Sequence, residues 1–131
     1  MKANEFRIGN FIQYKDKVFQ CDLDDLMVIR DFEDHGYNYV ELNEEWFLKL
    51  WFQLENEKCE VEDFEDENLF WWDFYNFHIG VNVCGNGVDY IYVDQYAVPV
   101  YLKYVHELQN LYFAIHKNEL STEKPNYERF F

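Results

Sequence analysis

The sequence predicts an α+β fold: an antiparallel, curved sheet of about five to seven strands with two helices, the longer one C-terminal. Three observations predict it. Short apolar runs alternate with turn-forming residues through most of the chain. Two segments instead repeat their apolar residues at three- and four-residue steps. Aromatic residues make up 21% of the 131 residues, enough bulk for one core despite the charge. Residues 1–120 are expected to form a single α+β domain and residues 121–131 a flexible C-terminal tail.

The elements follow in order. Phe11-Ile12-Gln13-Tyr14 and Val18-Phe19-Gln20-Cys21 flank Lys15-Asp16-Lys17, a polar break of hairpin-loop length. Leu26-Met27-Val28-Ile29 is a short apolar run that reads as a third strand, and Tyr37 to Leu42 is extended again after the turn signal Asp34-His35-Gly36. Asn43 is a good N-cap for a first helix. Glu44 and Glu45 sit in its first turn, Trp46, Phe47, Leu50 and Trp51 form one apolar face, and the helix ends about Phe52.

Phe70–Phe77 and His78–Cys84 read as extended stretches, followed by the turn signal Cys84-Gly85-Asn86-Gly87. Val88–Val93 returns with Val88, Tyr90 and Tyr92 on one face and Asp89, Ile91 and Val93 on the other. Pro99 marks an edge or a strand start. The last helix is predicted from about Tyr101 to Lys117, with Leu102, Val105, Leu108, Leu111 and Ile115 packed on the sheet.

The net charge of −15 is not spread evenly. Residues 1–54 hold 6 basic and 11 acidic side chains, residues 55–94 hold 1 and 11, and residues 95–131 hold 4 and 4. Glu55, Glu57, Glu60, Glu62, Asp63, Glu65, Asp66 and Glu67 crowd into 13 residues. So many like charges repel one another unless they are solvated or face a cation. One reading is a solvated loop that aids solubility. The other is a surface made for a basic partner, such as the nucleic-acid channel of another protein. The acidic balance argues against gripping phosphates through a basic patch, so no direct nucleic-acid binding is expected.

Beside the acids lies Phe70-Trp71-Trp72-Asp73-Phe74-Tyr75-Asn76-Phe77. Strand alternation places Phe70, Trp72, Phe74 and Asn76 on one face and Trp71, Asp73, Tyr75 and Phe77 on the other. A strand buried on both sides explains such a run. An exposed aromatic face would instead form a protein-binding hot spot.

Signals for chemistry are weak. Cys21, Cys59 and Cys84 are odd in number and far apart, which fits unpaired thiols in a reducing cytoplasm. No zinc-ligand spacing occurs, and His35, His78, His106 and His116 read as packing or surface residues. Asp22-Leu23-Asp24-Asp25 and Asp63-Phe64-Glu65-Asp66-Glu67 resemble loose divalent-metal loops but lack the order of a calcium loop. No cofactor, metal site or catalytic residue is expected. No apolar run approaches the ~20 residues of a membrane span, and the first residues do not read as a signal peptide. A cytoplasmic protein of a bacterial host, monomeric or homodimeric and free of membrane, is the expectation.

Three stretches point further: Arg7-Ile8-Gly9-Asn10, Leu42-Asn43-Glu44-Glu45-Trp46-Phe47-Leu48-Lys49, and Tyr104-Val105-His106-Glu107-Leu108-Gln109-Asn110-Leu111-Tyr112-Phe113-Ala114. Together they resemble a group of small proteins found in bacterial genomes and their prophages. The acidic middle and Phe70–Phe77 are not part of that pattern. The resemblance implies a phage-linked setting and carries over no catalytic residue. By analogy, small acidic proteins in such a setting include anti-CRISPR inhibitors that occupy an effector's nucleic-acid channel.

The leading expectation is therefore a non-catalytic protein that inhibits a basic partner through Glu55, Glu57, Glu60, Glu62, Asp63, Glu65, Asp66, Glu67, Trp71, Trp72, Asp73 and Tyr75. The alternatives are a self-associating assembly protein and, more weakly, an enzyme or ligand-binding module using a thiol or carboxylate pair.

Overall fold

The computed structural model describes residues 1–58, 69–74, 77–84, 87–93 and 99–124. The fold is α+β, and among the described residues it has two antiparallel sheets and three α-helices. The chain divides into two compact units, Met1–Glu41 with Tyr104–Asn118, and Leu42–Lys103 with Glu119–Phe131. The expected curved sheet is thus two sheets, and a third helix joins the two expected.

In the first unit, β1 (Phe11–Tyr14) and β2 (Lys17–Gln20) form the expected hairpin, although Lys17, expected in the loop, opens β2, and Cys21, expected in the strand, lies after it. Lys15 takes a positive φ of 54° to close it. β3 (Tyr37–Asn38) pairs with the other edge of β1, giving the order β2-β1-β3. Gly36 enters β3 at φ +76°, where a β-carbon would also meet the Tyr14 ring at 3.2 Å.

Leu26–Ile29 is not a strand but part of α1 (Leu23–Asp31). A four-residue apolar run does not distinguish strand from buried helix, so the flanks decide. Here Asp22 and Asp25 cap reciprocally. The Asp25 N–H donates to Asp22 Oδ1 at 3.0 Å, and the Asp22 N–H donates to Asp25 Oδ2 at 2.9 Å. The aspartates that resembled a metal loop are thus occupied in starting a helix. Ile29 joins Phe6, Ile12 and Cys21 in the core.

α3 spans Val105–His116 and starts later than the predicted Tyr101. Tyr101 belongs instead to a strand of the second unit, and Tyr104 is still extended, with φ −122°. Val105, Leu108, Gln109 and Tyr112 form the buried stripe, and Ile115, predicted to pack on the sheet, is 48% exposed. The stripe turns toward Gln109 because that polar side chain finds buried partners, described below.

The second unit begins with α2 (Glu44–Lys49), capped as expected by Asn43, whose Oδ1 accepts from the Trp46 N–H at 3.1 Å. It ends before the predicted Phe52, because Trp51 turns the chain at φ 69°. β4 (Gln53–Lys58), β5 (Leu69–Phe74), β6 (Phe77–Cys84), β7 (Gly87–Val93) and β8 (Val100–Tyr101) then form an antiparallel meander in sequence order. β8 is an edge, as Pro99 predicted. The turn signal Gly85-Asn86 lies outside the described residues.

The aromatic run Phe70–Phe77 is not one strand. β5 stops at Phe74 and β6 restarts at Phe77, with Phe74 and Phe77 directly paired. Paired residues share a face, so Phe77 joins Trp72 and Phe74 in the core instead of lying with Trp71. One sheet face is lined by Trp72, Phe74, Phe77, Ile79, Val81 and Ile91. α2 and the residues after it cover that face: Phe47 stacks on Trp72 at 5.2 Å, and Phe52 meets Phe74 at 5.4 Å.

A bulge separates Asn82↔Tyr90 from Val83↔Val88. The extra residue, Asp89, reverses parity, so Val88 faces the core with Ile91 and not with Tyr90 and Tyr92. Among the described residues, no helix is long and apolar enough to cross a membrane.

Candidate interaction surface

The face of the five-stranded sheet opposite α2 is built by strand alternation and register. Asp73 pairs with His78, Trp71 with Gly80, and Gly80 with Tyr92. Asn82 pairs with Tyr90, which pairs with Tyr101. These residues form one continuous row across β5, β6, β7 and β8.

The row is ordered by specific contacts. Asp73 Oδ1 hydrogen-bonds His78 Nδ1, and both side chains are 30% exposed. Trp71 has no side chain opposite it at Gly80, and its indole stacks on the His78 ring at 4.1 Å and 16°. Asn82 Nδ2 donates to the Tyr90 hydroxyl at 3.0 Å. Tyr90 stands edge-on to Tyr92 at 5.5 Å and to Tyr101 at 5.7 Å. Tyr101 is 69% exposed, whereas Tyr92 is buried.

The row offers large rings with fixed polar tips, the composition of a protein-binding surface. It also includes the Asp73–His78 pair. Among the described residues, no group of three or more His, Cys, Asp or Glu is placed to hold a metal ion.

The residues expected to bind a partner are distributed unevenly around this surface. Trp71 and Asp73 lie on it, half-buried. Trp72 does not: it is 2% exposed and belongs to the core. Glu55 and Glu57 fall on β4. Glu60, Glu62, Asp63, Glu65, Asp66, Glu67 and Tyr75 lie outside the described residues. Lys58 pairs with Phe70, so the chain leaves and re-enters the sheet at neighbouring positions on either side of the acidic stretch. His78, Asn82, Tyr90 and Tyr101 join the surface without having been singled out. Only the register across three hairpins brings them beside Trp71, and single-strand alternation does not encode it.

Two of the three stretches behind the prophage resemblance, those beginning at Arg7 and Tyr104, meet in the first unit, whereas the one beginning at Leu42 belongs to the second. Gly9, at φ +96°, turns the chain so that Asn10 and Phe11 face α3. Gln109 Oε1 accepts from the Phe11 N–H at 2.9 Å, and Gln109 Nε2 donates to the Gly9 carbonyl at 3.1 Å. Asn110 Oδ1 accepts from Asn10 Nδ2 at 2.9 Å and from Arg7 Nε at 2.8 Å. The Arg7 guanidinium also lies 4.1 Å from the Phe113 ring centroid. These side chains act as a joint between loop and helix. Compared with protein-family models, curated proteins and solved structures, the chain matches none.

Two histidines of α3 give this unit a pH response. Burial pushes the pKa of both His106 and His116 below the ordinary 6.5. The folded state therefore favours neutral rings, and the unfolded chain takes up protons more readily. Their contribution to stability is complete above 6.5 and is lost as pH falls through the depressed values. Urea unfolding is expected to show a lower midpoint at pH 5.5 than at pH 7.5. The difference should shrink in His106→Phe. A midpoint independent of pH over that range would contradict the assignment.

Proposed function

We propose that the chain is a non-catalytic binding protein of a phage or prophage, acting in the bacterial cytoplasm. It inhibits a basic, nucleic-acid-handling host protein, a CRISPR effector nuclease first among the candidates. The observation that carries this reading is the concentration of charge. Residues 55–94 hold 11 acids against 1 base, and the stretch between β4 and β5 takes most of them. Charge of this density attracts a channel built for phosphates, acting as a nucleic-acid mimic, and speeds encounter in a salt-sensitive way. Trp71 on β5, half-buried over His78, supplies a ring near the same region for the short-range contact.

The test is a pull-down against a panel of effector complexes, followed by charge reversal to Lys at Glu60, Glu62, Asp63, Glu65, Asp66 and Glu67. Binding is expected to weaken by at least 100-fold, on the order of two charge-pair energies of ~1.5 kcal/mol each. It should also weaken as salt is raised from 0.05 to 0.5 M. Unchanged binding and inhibition in the reversed variant would remove this mechanism.

A second reading, self-association through the aromatic row, is favoured by Tyr101, which stands 69% exposed on the edge strand β8. Light scattering at several concentrations separates the two, because a strict monomer excludes self-association.

A further inference from the structure

Strands β5, β6, β7 and β8 carry two acids, Asp73 and Asp89, and no Lys or Arg. The aromatic row across them therefore has no long cationic side chain of its own to cover its rings. Ring faces beside a carboxylate attract a cation from outside.

Two rings of the row are open. Trp71 rests on His78 at 4.1 Å, and among the described residues no other ring stacks on it. Tyr101 meets Tyr90 edge-on at 5.7 Å and is mostly exposed. Asp73 lies two residues along β5 from Trp71, on the same face, about 7 Å away along the strand. The indole leans toward that carboxylate, because His78, on which it stacks, is the register partner of Asp73. Asp73 Oδ1 is taken by His78 Nδ1. Its Oδ2 has no hydrogen-bond partner among the described residues, and the side chain is 30% exposed.

An open indole face beside an unused carboxylate oxygen suits a flat cation with several N–H donors. A guanidinium is planar, stacks on rings and donates to carboxylates through a rigid fork. An ammonium is a compact, strongly hydrated point charge and does neither. Strand spacing places Tyr101, three strands over and two residues along from Trp71, on the order of 15 Å away. Side chains four residues apart in an extended peptide span about that distance.

We infer that this face docks arginine side chains of the partner, one stacked on Trp71 and hydrogen-bonded to Asp73, another lying against Tyr101. The inference rests on the proposed basic partner and names the side chain that it presents.

The test titrates two blocked peptides, Gly-Arg-Gly-Gly-Gly-Arg-Gly and its Lys counterpart, into the full chain at one ionic strength. NMR follows the Trp71 indole N–H and the Tyr101 ring. The Arg peptide is expected to give a saturable shift at both, with Kd on the order of 1 mM, since a short flexible peptide is ordered on binding. The Lys peptide should bind at least threefold more weakly. Trp71→Leu and Asp73→Asn should each weaken the Arg peptide at least threefold and bring it level with the Lys peptide. Asn retains an acceptor for His78. Tyr101→Leu, on an exposed edge, should weaken the Arg peptide in the same direction and serves where a β5 variant fails to fold.

Equal affinity for the two peptides, no saturable shift at Trp71 and Tyr101, or unchanged affinity in every folded variant would overturn the inference. The peptides report on the side chain alone, so an effector still captured under those outcomes would leave the proposed function standing. A selective Arg peptide with no effector captured would remove the effector reading alone.

Discussion

Replacing Gln109 by Leu is expected to lower the unfolding free energy by about 1–3 kcal/mol, the cost of leaving a buried backbone donor unsatisfied. Gln109 is fully buried on α3, yet its amide is satisfied at both ends. Its Oε1 holds the Phe11 N–H at the start of β1, and its Nε2 holds the Gly9 carbonyl. Leu has similar volume, so packing changes little and the loss is electrostatic. The buried Phe11 N–H loses its partner, at about 1–3 kcal/mol, while the Gly9 carbonyl keeps Gln20 Nε2 at 3.0 Å. Urea unfolding monitored by circular dichroism measures the loss. Gln109→Glu keeps the acceptor but buries a carboxylate and loses the donor, so it should also destabilise at pH 7. A change under about 0.5 kcal/mol for Gln109→Leu, the scale of an ordinary surface substitution, would show that the loop does not depend on this joint.

That residue also shows where the sequence stops being legible. The periodicity of the last helix is plain, but an apolar-only wheel favours Ile115 and passes over Gln109. A buried amide is recognisable only when its partners are known, and these lie about a hundred positions away. Local signals are legible. Asn43 announced α2, and Lys15-Asp16 announced the first hairpin, because capping and turn chemistry act within a few residues.

The same local chemistry is present at Asp22 and Asp25, just before Leu26–Ile29, where the apolar run predicts a strand. The reciprocal cap is visible as two aspartates three apart, and it outweighs the four-residue apolar run behind them. The interaction surface was half legible. Alternation correctly separates Trp71 and Asp73 from Trp72. It does not reveal the hairpin between Phe74 and Phe77, or the bulge that turns Val88 inward, since both depend on pairing with another strand.

The two adjacent tryptophans of β5 should therefore behave in opposite ways. Trp72→Ala is expected to cost about 3–5 kcal/mol, the range for removing a large aromatic from a core. It strips the ring that stacks on Phe47 and leaves a void against the sheet. Trp72→Phe should cost far less. The smaller ring still meets Phe47, and the substitution removes a buried indole N–H that has no hydrogen-bond partner. Because Trp72 faces the core, Trp72→Phe should bind a partner captured by the native chain with unchanged affinity.

Trp71→Ala reverses the pattern. Its indole is half-buried and leans on His78, so stability should fall by only about 1–1.5 kcal/mol, the scale of a single aromatic pair. Affinity should fall at least tenfold, because Trp is among the residues that dominate binding hot spots. Measuring urea midpoints and partner affinity on the same three variants separates folding from recognition. Weakened binding by folded Trp72→Phe, or native affinity in Trp71→Ala, would mean that the partner does not read this face of the sheet. The acidic stretch would then have to act without it.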